Sequence, residues 1–232
     1  MRPLFVLIHS PLVGPYTWSL VAEELQRRGI DVLVPVLDPG PPVDEPYWRL
    51  HARSVARALA AAPREQPALL AAHSGAGPLL PAVRHFSERP VAGYLCVDAG
   101  IPVDGGSRLG PPDSPFARAV RPSLEAGVPY PRWDDAMLAP LVPQPERRRR
   151  LLAELRPQPL AFFAEPLPVF DGWPDAPAGY LLFSPAYADD AARAEALGWP
   201  VTRLDAGHFH MLVDPVAVIG ALLDLARHSG VT

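Results

Sequence analysis

Short apolar runs recur along the chain at wide intervals: Leu4 to Ile8, Val32 to Leu37, Ala68 to Ala72, Val91 to Val97, Gly179 to Phe183 and Val201 to Leu204. A run that is continuous rather than alternating suits a strand buried on both faces, as in a parallel sheet covered by helices. Between these runs lie segments of helical period. The first follows Thr17, a candidate cap, carries Trp18, Leu20, Val21 and Leu25, and ends ahead of Gly29. The others run from Tyr47 to Ala61, from Gly75 to about Phe86, from about Asp189 to Leu197 and from about Pro215 to Arg227. The loop Asp38-Pro39-Gly40-Pro41-Pro42 precedes the second helix, and Pro63 and Pro67 stop it. Strand, helix, strand is the βαβ unit, so the pattern predicts an α/β fold: a doubly wound, mostly parallel sheet of about six strands. Asp31 to Leu37 is expected to form its second strand.

The rhythm breaks between residues 99 and 178. This stretch is dense in proline, with short helical pieces around Phe116 to Ala126, Trp133 to Leu141 and Glu146 to Leu155. Too long for a simple loop and too apolar for a linker, it reads as a helical cap inserted into one domain spanning 1–232. Its aromatic residues Tyr130, Trp133, Phe162, Phe163, Phe170 and Trp173 suit two uses: a small core with a seam against the sheet, or an apolar pocket.

Charge narrows the function. A net charge of −4 and a pI near 6.0 give no electrostatic case for nucleic acid or an anionic membrane. The basic run Arg147 to Arg150 reads first as the solvated face of a short helix, and second as a docking patch for an acidic partner. Cys96 is the single cysteine, so no internal disulfide can form. The opening apolar run is too short for a secretory signal or a membrane span, and a cytoplasmic location is expected. No His, Cys, Asp or Glu grouping has metal-ligand spacing, and no cofactor is expected. Oligomeric state is not legible.

The chemistry gathers where the third apolar run meets Ala72-His73-Ser74-Gly75-Ala76. A serine on a sharp strand-to-helix turn stands above the sheet, and its backbone is tolerated only if the residues two before and two after are small. Ala72 and Ala76 meet that condition. The plainer alternative is a serine that simply caps a helix.

With this elbow after the third strand, Leu7-Ile8-His9 followed by Gly14 and Trp18, and Gly207-His208 with Pro215 downstream, the chain resembles the α/β-hydrolase fold superfamily without the first two strands of the full sheet. The resemblance covers nearly the whole chain. It implies acyl transfer by a Ser-His-Asp triad: His208 takes the Ser74 proton, the serine oxygen attacks a carbonyl carbon, and water later releases the acyl group. His210 competes as the base, but the family's histidine follows a glycine. The acid in many members follows the next-to-last strand, where Phe183-Ser184-Pro185-Ala186-Tyr187 offers a tyrosine instead. In a minority, thioesterase domains among them, it ends the strand before, which points to Asp98, with Asp189 or Asp190 as alternatives. The family's oxyanion donor after the first strand falls on Pro11, which has no N–H. Gly75 N–H and, with the loop displaced by one residue, Leu12 N–H are then the expected pair, with the Ser10 side chain as a substitute.

The expected substrate is a small molecule, an ester or thioester with an apolar acyl part. Two other readings of the same fold stay open. One is a lyase, cyclase or isomerase using His208 as acid or base, and the other is a non-catalytic ligand-binding relative.

Overall fold

The architecture is that of a computed structural model, in which residues 2–38, 45–62 and 66–231 are described. The expected loop at Pro39 to Pro42 and the stop at Pro63 lie outside the described residues.

The sheet strands are β1 (Leu4–Ile8), β2 (Val32–Leu33), β3 (Ala68–His73), β4 (Val91–Val97), β5 (Ala178–Leu182) and β6 (Val201–Arg203). They pair in the order β2-β1-β3-β4-β5-β6, and every pairing is parallel. Helices α1 (Tyr16–Arg27), α2 (Tyr47–Ala61) and α3 (Leu80–Phe86) belong to the first half of the chain. Four short helices, α4 (Pro115–Glu125), α5 (Asp135–Leu138), α6 (Pro145–Ala153) and α7 (Leu160–Ala164), fall between β4 and β5. Helices α8 (Ala188–Ala196) and α9 (Pro215–His228) complete the alternation.

The apolar runs serve two cores at once. Phe5 and Leu7 of β1, Leu69 and Ala71 of β3, Leu95 and Val97 of β4 and Leu181 of β5 face one cluster, together with α1 and α9. Their neighbours Leu4, Val6, Ile8, Ala68, Leu70, Ala72, Tyr94, Cys96 and Tyr180 face the other, with α2, α3 and α8. Successive side chains of a strand point to opposite faces, so a strand covered on both must be apolar throughout. Each large aliphatic side chain so buried contributes about 1.5–3 kcal/mol.

The chain leaves β1 in one direction, to β2, and returns to pair β3 on its other side, with α1 and α2 on opposite faces. That reversal opens a crevice at the carboxyl ends of β1 and β3, the position where open α/β sheets receive ligands.

Several elements differ from the sequence expectation. The second strand, expected over 31–37, is ladder-paired only at Val32 and Leu33. It lies at the sheet edge, Pro35 has no N–H to continue the ladder, and Val36 is 58% exposed. Thr17 does not cap α1: its hydroxyl donates to Gly14 O at 2.9 Å, and the helix starts at Tyr16. The helix expected from Gly75 begins as a 3-10 segment over Ser74–Leu79, with Pro78 inside it, and becomes α-helical at Leu80. The piece expected over Trp133 to Leu141 shortens to α5, and α7 was not anticipated.

Between β4 and β5 a third cluster forms from Leu109, Ala117, Val120, Leu124, Phe162 and Phe163, with Leu12, Tyr47 and Tyr130 packed against it. Phe170 and Trp173 pack instead on the α2/α3 side of the sheet and Trp133 on the α1/α9 side. The basic run is a solvated face only in part: Arg149 and Arg150 are exposed, whereas the other two arginines are tied down. Arg148 is buried and bonded to Asp135 and to Val142 O and Pro143 O, Arg147 donates to Leu212 O and Val213 O, and Arg150 lies over the Tyr16 ring. Arginine's forked donors make it suited to such carbonyl clamps.

Among the described residues no helix is long and apolar enough to cross a membrane.

Candidate active site

Ser74 sits at the end of β3 with φ of 57°, a left-handed conformation that costs a non-glycine residue of order 1–3 kcal/mol. The turn that imposes it is closely packed. A Cβ on Gly77 would stand 2.2 Å from Gly100 O, so the segment after Ser74 lies directly on the loop after β4. That loop carries Asp98, also in the left-handed region with φ of 42°. Asp and Asn tolerate that region better than most residues.

These two strand ends and the turn after β6 bring three side chains into line. His208 Nε2 lies 3.1 Å from Ser74 Oγ, and His208 Nδ1 lies 2.6 Å from Asp98 Oδ2. Asp98 is fully buried and saturated with donors: Phe183 N–H (2.9 Å) and Ser184 N–H (2.8 Å) on Oδ1, and the Ser184 hydroxyl (2.7 Å) on Oδ2. Burial pushes this carboxyl up. The hydrogen bond and charge of His208, with the Ser184 donors, outweigh that and hold it below the usual carboxylate range.

Asp98 is therefore ionised and accepts the Nδ1 proton of His208, which leaves Nε2 as the acceptor facing Ser74.

The alternatives do not reach this line. Asp189 is exposed, and Asp190 accepts Ile101 N–H at 2.9 Å, tying α8 to the loop after β4. The His210 ring packs on Phe183, 5.9 Å between centroids.

The loop after β1 lies alongside. Pro11 offers no N–H, and Leu12 N–H is directed at Ser10 Oγ, 3.3 Å away. Ser10 is buried, and its Oγ lies 3.5 Å from where a Cβ on Gly75 would stand, so this hydroxyl is beside the Gly75 backbone.

Three residues that the motifs did not single out complete the surroundings. The Tyr187 hydroxyl is 3.1 Å from Ser74 Oγ, and its ring stacks on His208 with centroids 5.3 Å apart. It stands after β5, where the family pattern looks for the acid. Burial raises the Tyr187 hydroxyl above its ordinary value, so it keeps its proton. Ser184 buttresses Asp98. His73, buried and held neutral chiefly by burial, donates through Nε2 to His208 O at 2.9 Å and so fixes the backbone of the turn. The signal for the first two lay in the run Phe183 to Tyr187. For His73 no pattern distinguished it from an ordinary core histidine.

A cavity of about 340 Å³ opens in the segment between β4 and β5, lined by Phe116, Val120, Tyr130, Trp133 and Met137 among others. Trp133 packs on Phe209, the neighbour of His208. Among the described residues no group of His, Cys, Asp or Glu could hold a metal ion.

A parallel sheet with a strained serine at its switch point and an acid-backed histidine over it defines an α/β hydrolase architecture. The model of the alpha/beta hydrolase family matches residues 5–221, and the chain belongs to that family. No protein of curated function is detectably similar in sequence. Solved structures share the fold over nearly their whole length. An extracellular alpha/beta-hydrolase from a Paenibacillus species, described as sharing structural and functional homology with tobacco salicylic acid binding protein 2, superposes with a TM-score of 0.77 at 17% identity, over 97% of this chain and 100% of that one. A pyrethroid hydrolase from Sphingobium faniae gives 0.68 at 20% identity, with 98% of each chain covered. Tomato methylketone synthase I, complexed with 2-tridecanone, gives 0.73 at 14% identity, with 99% of each covered.

Proposed function

We propose that this chain is a serine hydrolase that cleaves an ester or thioester with an apolar acyl part. The observation that carries the reading is the unbroken line Ser74 Oγ, His208 Nε2, Nδ1 and Asp98 Oδ2, with spacings of 3.1 and 2.6 Å. In the first step His208 Nε2 takes the Ser74 proton as Oγ bonds to the carbonyl carbon. The imidazolium is stabilised by Asp98, and its proton then goes to the leaving group. Water, activated by the same histidine, releases the acyl group and restores the serine. Gly75 N–H is one donor to the developing oxyanion, and Leu12 N–H is a second only if it turns away from Ser10 Oγ. The aromatic lining of the segment between β4 and β5 supports an apolar substrate, with that segment acting as a cap.

A panel of p-nitrophenyl esters and acyl thioesters of increasing chain length tests this. Turnover that rises with acyl length and falls to background in Ser74→Ala is the expected result.

Two observations favour a second reading, a lyase or isomerase in which His208 works without an acyl-enzyme: Pro11 removes the usual backbone donor, and a phenol touches the serine. Activity of Ser74→Ala on a natural substrate would select it.

A further inference from the structure

A hydroxyl carries one hydrogen, and that settles the direction of the contacts around Ser74. His208 Nδ1–H is committed to Asp98, so Nε2 accepts and the Ser74 hydrogen points to it. The remaining contact, between Ser74 Oγ and the Tyr187 hydroxyl at 3.1 Å, must then be a donation by the tyrosine. Its proton is retained because burial raises the phenol above its ordinary value. The Tyr187 ring is held by its stack on His208, so the hydroxyl is aimed by the same residue that serves as base.

We propose that Tyr187 is a catalytic residue, whose O–H is the second oxyanion donor in place of the backbone N–H that Pro11 lacks. The proposal rests on the acyl-transfer reading above. When Ser74 Oγ bonds to the carbonyl carbon, the carbonyl π pair moves onto its oxygen and the serine proton moves to His208. Oγ, bonded to the carbonyl carbon, is then a neutral and weaker acceptor than the carbonyl oxygen that now carries the charge. The carbonyl oxygen takes up the charge about 2.3 Å from Oγ, and the hydroxyl that stands 3.1 Å from Oγ reaches it when the acyl group is seated with that oxygen toward Tyr187. The tyrosine O–H stays intact throughout and only changes acceptor. The backbone supplies little competition, since Leu12 N–H is directed at Ser10 Oγ.

The test compares Tyr187→Phe and Ser10→Ala with wild type, each checked for an unchanged thermal midpoint. Three readouts are taken: kcat and KM on a p-nitrophenyl ester, inhibition by a trifluoromethyl ketone whose hemiketal carries the oxyanion, and labelling of Ser74 by a fluorophosphonate. The expected result is a fall of about a hundredfold or more in kcat for Tyr187→Phe with KM within about threefold, matched by an equal weakening of the ketone. Labelling of Ser74 should still reach completion, more slowly. An unchanged or raised kcat would show that the phenol only restrains the serine, and would overturn the proposal. So would a kcat loss without the matching loss of ketone affinity, or a loss confined to Ser10→Ala. A wild-type protein that neither labels nor turns over esters overturns the acyl-transfer reading itself, and this assignment with it.

Discussion

Replacing Asp98 by asparagine changes one atom, and its hydrogen bonds determine which way the new amide must face. Oδ1 of Asp98 accepts from two backbone N–H groups, Phe183 and Ser184. An amide nitrogen placed there would oppose two donors, so the amide oxygen takes that position and Nδ2 takes the place of Oδ2, 2.6 Å from His208 Nδ1. Facing a donor, His208 must present a lone pair at Nδ1 and carry its proton on Nε2. That tautomer cannot accept the Ser74 proton, and the imidazolium has no counter-charge. Where the same exchange has been made in a serine protease triad, kcat falls about ten-thousandfold, or about 5.5 kcal/mol of transition-state stabilisation. A similar loss is expected here. Asparagine suits the left-handed backbone of residue 98, so the fold should persist, which the near-UV circular dichroism and thermal midpoint will show. The assay is kcat on a p-nitrophenyl ester beside Asp189→Asn, whose side chain is exposed and which should be unimpaired. Asp98→Asn retaining more than about a tenth of wild-type turnover would refute the tautomer argument.

Three further outcomes follow from the same geometry. His208→Ala should abolish fluorophosphonate labelling of Ser74 whereas His210→Ala leaves most of it, because only His208 is within hydrogen-bond reach; the reverse pattern would move the base. Stability should fall on acidification: burial depresses His9 to about 4 and His51 to about 3, so the folded state keeps them neutral while the unfolded chain binds protons below about 6.5. Each then withdraws about 1.4 kcal/mol per pH unit from that point down to its folded value, and a urea midpoint that is flat between about pH 7 and pH 5 would contradict this. Glu165→Ala should cost about 3–5 kcal/mol by urea unfolding, since it leaves the buried Arg108 guanidinium unpaired and uncaps the Tyr47 and Trp48 N–H groups at the start of α2; a cost under about 1 kcal/mol would show the site relaxes or hydrates.

The parallel sheet was legible because every buried strand had to be apolar on both faces, and β1, α2 and β4 begin and end where the pattern placed them. Hydrophobicity alone overextends the second strand, since it does not register that Pro35 ends a ladder at an edge. Ser74 could be anticipated from the small residues flanking it, and its grouping with His208 from the family resemblance, in which the histidine follows a glycine. Asp98 was harder, because its candidacy depended on Tyr187 occupying the commoner position. What the tyrosine does there depends on a hydroxyl-to-hydroxyl distance that no spacing encodes. The arginine run divides for a related reason: whether a charge is solvated or clamps carbonyls is decided by what lies beside it, and Arg148 is buried and bonded to Asp135 of α5 while Arg149 stays exposed.

The proposed function requires Ser74 to be a nucleophile activated by His208. Intact-protein mass after exposure to a fluorophosphonate tests it most directly, with peptide mapping of the adduct. One adduct per chain is expected, on Ser74, absent from Ser74→Ala and from His208→Ala. An unmodified wild-type chain, or an adduct that persists in Ser74→Ala, would contradict it.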